Sequence, residues 1–119
     1  MWVWGVAGVR RSRKSARARG NETQNLVAAA FRDAGWLHAE SAGSGRNGRD
    51  VLGVAGVSVE VKARRDLALP AWLRQAARSE GLPVVVHRPD GFGPASIDDW
   101  PATLRLADLL RLLREAGYQ

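Results

Sequence analysis

The stretch Val57-Ser58-Val59-Glu60-Val61-Lys62 alternates strictly between a β-branched apolar side chain and a polar one. That period of two fits a β-strand and cannot line one face of a helix. Just before it, Gly48-Arg49-Asp50-Val51-Leu52-Gly53-Val54 leads into Ala55-Gly56, a tight-turn pair. The two segments therefore read as an antiparallel hairpin with Asp50 at its opening. A two-residue loop would pair Val51 with Glu60 and turn Asp50 away from the Glu60 and Lys62 face. A three-residue loop, or a bulge at Gly53, would shift the pairing and bring Asp50 opposite Lys62.

The carboxylates make that register consequential. Two acids converging where strands separate would hold a hard divalent cation through oxygen ligands. A neighbouring ammonium would then orient a water or stabilise charge on a phosphate oxygen. The competing reading is structural: Glu and Lys alternating with Val are what the solvent face of an amphipathic strand carries.

Other features narrow the chemistry. The chain of 119 residues suits one domain with a single core. It has no Cys, which excludes disulfides, thiolate-bound zinc and thiol catalysis, and only two His, His38 and His87. Any metal would be held by carboxylates, which points to Mg²⁺, with Mn²⁺ as a substitute. Lys and Arg total 18 against 12 acids, most of the 18 being Arg, for a net charge of +6. A charge of that size, carried by guanidinium forks, favours a polyanion such as DNA. No stretch has the apolar length to span a bilayer. The apolar Trp2–Val9 run precedes its basic residues, the reverse of a secretion signal. The expectation is a soluble, cytoplasmic protein.

In chain order, residues 1–14 form an apolar and then basic arm, and residues 15–119 a single domain. Arg10 to Arg19 is the densest positive run. From Ala16 to Ala34 the apolar spacing of Leu26, Val27, Ala30, Phe31 and Ala34 predicts a helix, which Gly35 ends. Glu22, one turn before Leu26, would project from the same stripe, either toward a metal or as a first-turn acid favoured by the helix dipole. Trp36–Ser41 reads as a strand. The Gly-rich loop 41–49 carries Arg46 and Arg49, placed to clamp a phosphate backbone. A helix is predicted from Pro70 to Ser79 with Leu69, Trp72, Leu73, Ala76 and Ala77 inward. Gln75 lies on its flank, where it would meet DNA or solvent. Leu82–His87 reads as a central or parallel strand buried on both faces. Trp100–Leu106 alternates as a strand, and Leu109–Ala116 is an amphipathic helix.

Four of these motifs in order resemble the PD-(D/E)xK nuclease superfamily, and within it the archaeal-type Holliday-junction resolvases and related phage proteins. The matching residues are Gly20 and Glu22, Ser41-Ala42-Gly43-Ser44, Asp50, and Glu60-Val61-Lys62, covering about residues 15–88. Arg49 stands where the superfamily name has Pro, and Glu22 follows Gly20 more closely than in the family. The resemblance implies an α/β, restriction-endonuclease-like core: a mixed central sheet flanked by helices in α-β-β-β-α-β order, then a strand and helix. It implies a Mg²⁺-dependent endonuclease cutting four-way DNA junctions as a homodimer. Asp50, Glu60 and Val61 would hold the metal, with Lys62, Glu22 and Ser41 completing the catalytic set. Arg11, Arg13, Arg46, Arg49 and Arg64 would bind the DNA backbone. The dimer surface would combine the second helix and the apolar N-terminus, and a phage or other mobile element is a compatible source. Alternatives are a nuclease of this fold acting on duplex ends, nicks or flaps, and a non-catalytic basic DNA-binding domain.

Overall fold

The computed structural model describes residues 13–43 and 48–119, with side chains from Ser15 onward. Trp2, Trp4, Arg11, Ser44 and Arg46 lie outside the described residues. Helix α1 spans Arg13–Asp33, so it takes in the last two residues assigned to the arm. Strands β1 (Glu40–Ser41), β2 (Val51–Leu52) and β3 (Val57–Lys62) follow, then helix α2 (Leu69–Ala76). Strand β4 (Leu82–His87), a 3-10 helix (Pro94–Asp99), β5 (Ala102–Thr103) and helix α3 (Leu106–Glu115) complete the chain. The protein is α/β: a mixed five-stranded sheet in sequence order, flanked by helices. Only β3 and β4 run parallel, with α2 as their crossover; the other neighbours are antiparallel. Among the described residues no helix is long and apolar enough to cross a membrane.

Apolar faces assemble the layers. Val27 and Ala28 of α1 close on Val51, Val54, Val59, Val61 and Trp100, with Leu26 and Phe31 at the margin. Trp72 and Ala76 of α2 cover Val85 on the opposite face of the sheet, joined by Leu69 and Leu73. Each fully buried Val contributes roughly 1.5–3 kcal/mol by leaving water. The Ser58 hydroxyl donates to the Ala76 carbonyl at 2.6 Å, which fixes the C-terminal turn of α2 on β3. The inner face of α2 is thus committed to the sheet.

Several expectations change. Strand β1 keeps only Glu40–Ser41 of the predicted Trp36–Ser41, because the chain turns first, with Ala39 N–H donating to the Trp36 carbonyl at 3.0 Å. Strand β4 buries alternate residues, Pro83, Val85 and His87, rather than both faces equally. The predicted Trp100–Leu106 strand shrinks to Ala102–Thr103, since Trp100 caps the core and Leu106 already begins α3. On α3, Leu106, Leu109, Leu110 and Leu113 remain exposed.

The hairpin differs from both registers considered. Val51 pairs with Val59, and Asp50 N–H donates to the same Val59 carbonyl at 2.8 Å. Two successive residues therefore face one, a bulge-like departure at Asp50. Ala55-Gly56 does form the turn, with Val57 N–H donating to the Val54 carbonyl at 3.2 Å, so Leu52 and Gly53 stand against Ser58 alone and the pairing shifts there. Val54, 1 % exposed, drops into the core. Gly53 allows this path: at φ 81°, an added Cβ would stand 2.0 Å from the His38 carbonyl oxygen. Gly53→Ala is expected to cost about 2–4 kcal/mol, read as a lowered denaturant midpoint with unchanged slope.

Candidate active site

The parallel β3–β4 pair ends where β2 peels away, and there a cleft of about 680 Å³ opens. Asp50, Glu60, Val61, Lys62 and Arg64 line one side, and Gly20 and Gln24 of α1 the other. Glu60 and Lys62 do not face solvent, because α2 covers that side of β3 and leaves Glu60 3 % exposed. The solvent-face explanation of the Glu-x-Lys alternation therefore does not describe this strand.

The irregular entry at Asp50 directs its side chain to β3. Asp50 Oδ2 accepts the Val61 N–H at 2.8 Å, while its carboxyl also meets that of Glu60. Burial, reinforced by the Asp50 charge and a hydrogen bond from one carboxyl to the other, pushes Glu60 up to about 7; the Lys62 ammonium pulls the other way. Two acids so close, with one driven to retain its proton, form an electrostatic arrangement that a cation would relieve. The strand supplies a third oxygen. Gly56 and Lys62 carbonyls accept from the β4 side, at Leu82 and Arg88 N–H, whereas Val57 and Val59 carbonyls accept from the β2 side. Alternation then turns the Val61 carbonyl to the β2 side, beside Asp50.

Lys62 Nζ lies 3.5 Å from Glu60 Oε1, donates to Gln75 Oε1 at 2.8 Å, and sits 5.9 Å from the centre of the Trp72 ring. Behind it, His87 Nε2 donates to the Arg64 carbonyl at 2.8 Å, which ties down the segment leaving β3.

Other expected site residues lie elsewhere. Glu22 is not in the cleft; its carboxylate, 54 % exposed, pairs with Arg88 Nη1 at 3.2 Å. Nor is it a first-turn acid, because α1 begins at Arg13. Arg88 is 5 % exposed and could not remain buried unpaired. It also donates to Thr23 Oγ1 and the Phe92 carbonyl and stacks 5.3 Å from Trp100. Ser41 stands one step back from the cleft, donating to Gln24 Oε1 at 3.0 Å. Gln24 thus takes the position on α1 that Glu22 was expected to hold. Arg88 carries no local signal in the sequence, and Gln75 reads only as a helix flank. The one signal was that Gln75 adjoins the Trp72–Ala76 stripe.

The arginines divide. Arg49 donates to the Val57 carbonyl at 3.2 Å and to the Glu80 carbonyl at 2.9 Å, bracing the hairpin against the entry to β4. Arg64 is exposed on the cleft rim. Arg13 lies in the first turn of α1, its side chain outside the description, as are Arg11 and Arg46. If DNA occupies the cleft, Arg64→Ala should flatten the salt dependence of binding by about one unit of slope. Arg49→Ala should leave that slope unchanged and instead lower stability by about 1–2 kcal/mol.

Among the described residues, no group of three or more His, Asp or Glu gathers around one point. Compared with known proteins, the chain matches no family model, no curated protein and no solved structure.

Proposed function

We propose that the protein is a Mg²⁺-dependent DNA endonuclease with a restriction-endonuclease-like PD-(D/E)xK core, cutting four-way junctions as a homodimer. One observation carries this reading: the Asp50 and Glu60 carboxyls meet beside the Lys62 ammonium in an open cleft. The surplus of positive charge over the chain supports a nucleic-acid substrate.

The donor set fits Mg²⁺, which commonly binds through one or two carboxylates and keeps several waters. Asp50, Glu60 and the Val61 carbonyl would hold it, and when bound it supplies Lewis-acid polarisation of a phosphate oxygen and a more acidic water. The chain's own groups do the rest. An ammonium has three N–H donors; that of Lys62 gives one to Gln75 and stands 3.5 Å from Glu60, which leaves a donor for a phosphate oxygen in the cleft. Arg64 on the rim adds charge that holds a backbone without reading bases. The small side of α1 at Gly20 lets a strand approach closely, since nothing lies within 4 Å of where a Cβ would stand. Two opposed cuts in one junction call for two copies of the site, which a twofold dimer supplies.

The deciding experiment compares Mg²⁺-dependent cleavage of a four-way junction with that of linear, nicked and flapped duplexes. Paired opposed cuts in the junction alone support the proposal. Equal cutting of the other DNAs would keep a nuclease and remove the junction preference. A second reading rests on the Glu22–Arg88 pair: with Glu22 held there, and Asp66 on the cleft lining not gathered with Asp50 and Glu60, no third acid joins those two. It is a basic DNA-binding domain without catalysis, and binding of all four DNAs with no cutting would establish it.

A further inference from the structure

We infer that Gln75 is a positioning residue that holds the Lys62 ammonium off Glu60, so that the amine faces the cleft and the carboxylates stay available. The inference rests on the nuclease reading of the same site. A buried Lys beside a carboxylate ordinarily closes to a short, charge-assisted contact of about 2.7–2.9 Å. Here the Lys62–Glu60 separation is 3.5 Å, while the bond to Gln75 Oε1 is 2.8 Å. The neutral amide has therefore taken the shorter contact. An ammonium can only donate, so the Gln75 atom facing it must be the amide oxygen.

Gln75 is itself held from behind. It occupies the last full turn of α2, whose register is set by Trp72 and Ala76 in the core and by the Ser58 bond to the Ala76 carbonyl. The Trp72 ring lies 5.9 Å from Nζ and blocks retreat on that side. Gln75 does not line the cleft, so it would act on substrate only through Lys62. With Leu at this position, Lys62 would close on Glu60 and withdraw its charge from both the phosphate and the cation site.

Wild type, Gln75→Leu, Gln75→Glu, Lys62→Met and the Gln75→Leu/Lys62→Met double variant would be assayed on the same junction with Mg²⁺. Gln75→Leu should lower kcat about 10- to 100-fold with the DNA KM within about twofold. Gln75→Glu keeps an acceptor of the same reach and should recover most of that loss. In the Lys62→Met background, Gln75→Leu should add nothing. The ¹⁵N–¹H signal of the Lys62 ammonium supplies a readout independent of cleavage. Bonded to the side chain at 75, it should persist in wild type and Gln75→Glu and move to a different chemical shift in Gln75→Leu, where the amine closes on Glu60. An ammonium signal indifferent to Gln75, or additive losses in the double variant, would overturn the inference while leaving the nuclease reading intact. A wild type that cuts no DNA would instead remove the nuclease reading, and the positioning role with it.

Discussion

Asp50→Asn and Glu60→Gln are each expected to lower junction cleavage at least about 100-fold while leaving DNA affinity within about threefold. The two effects separate because these carboxyls sit at the floor of the cleft, away from the rim that would carry backbone contacts. Both replacements keep the size of the side chain, so the hydrogen bond from Val61 N–H can still form on residue 50 through the amide oxygen. What disappears is the paired negative charge. Single-turnover cleavage with purified protein and Mg²⁺, beside binding measured in Ca²⁺, provides the check. Wild-type rates in either variant would show that these two acids are not the site.

A comparably large effect is expected on stability. Glu60 rises from 4.5 to about 7, chiefly through burial and then through Asp50. Between those values the folded chain holds a proton that the unfolded chain has released. Stability from this group is therefore greatest at low pH, declines as pH climbs from about 4.5 to 7, and levels off above that. The full penalty is on the order of 3 kcal/mol, or about 10 °C in Tm for a domain of this size. Melting without divalent ions should show that decline in wild type, and Glu60→Gln should flatten it. Mg²⁺ can take the proton's place, so its addition should raise the wild-type Tm more at pH 8 than at pH 5. A Tm difference between wild type and Glu60→Gln that does not change from pH 4.5 to 8 would contradict the shared carboxyl site.

Particular residues mark how far a linear reading reached. The alternation at Val57–Lys62, the apolar run at Leu82–His87 and the stripe from Leu26 to Phe31 each predict an element that forms. Local periodicity is enough there because the apolar residues of each element share a face that packs in the core. The same reasoning over-extended strands at Trp36 and Trp100. Trp100 is taken up in the core, whereas at Trp36 the backbone turns through the Ala39–Trp36 bond and the exposed ring meets Phe31 only edge-on. Glu22 is the clearest failure at the site. Its helix position was read well enough, but its partner Arg88 is 66 residues away in sequence, and no spacing rule links them.

What the sequence determined by itself is the set of groups and their local geometry: the strand bearing Glu60 and Lys62, the helix bearing Gln75, the absence of Cys and the excess of Arg. Only the tertiary structure decided which of them meet. An extra residue at Gly53, beside the buried Val54, moved the register, and that shift let Asp50 turn toward Glu60. Docking of α2 on β3 converted a polar strand face into a buried one and brought Gln75 to Lys62. Both outcomes depend on apolar contacts between distant segments, which a local reading does not weigh.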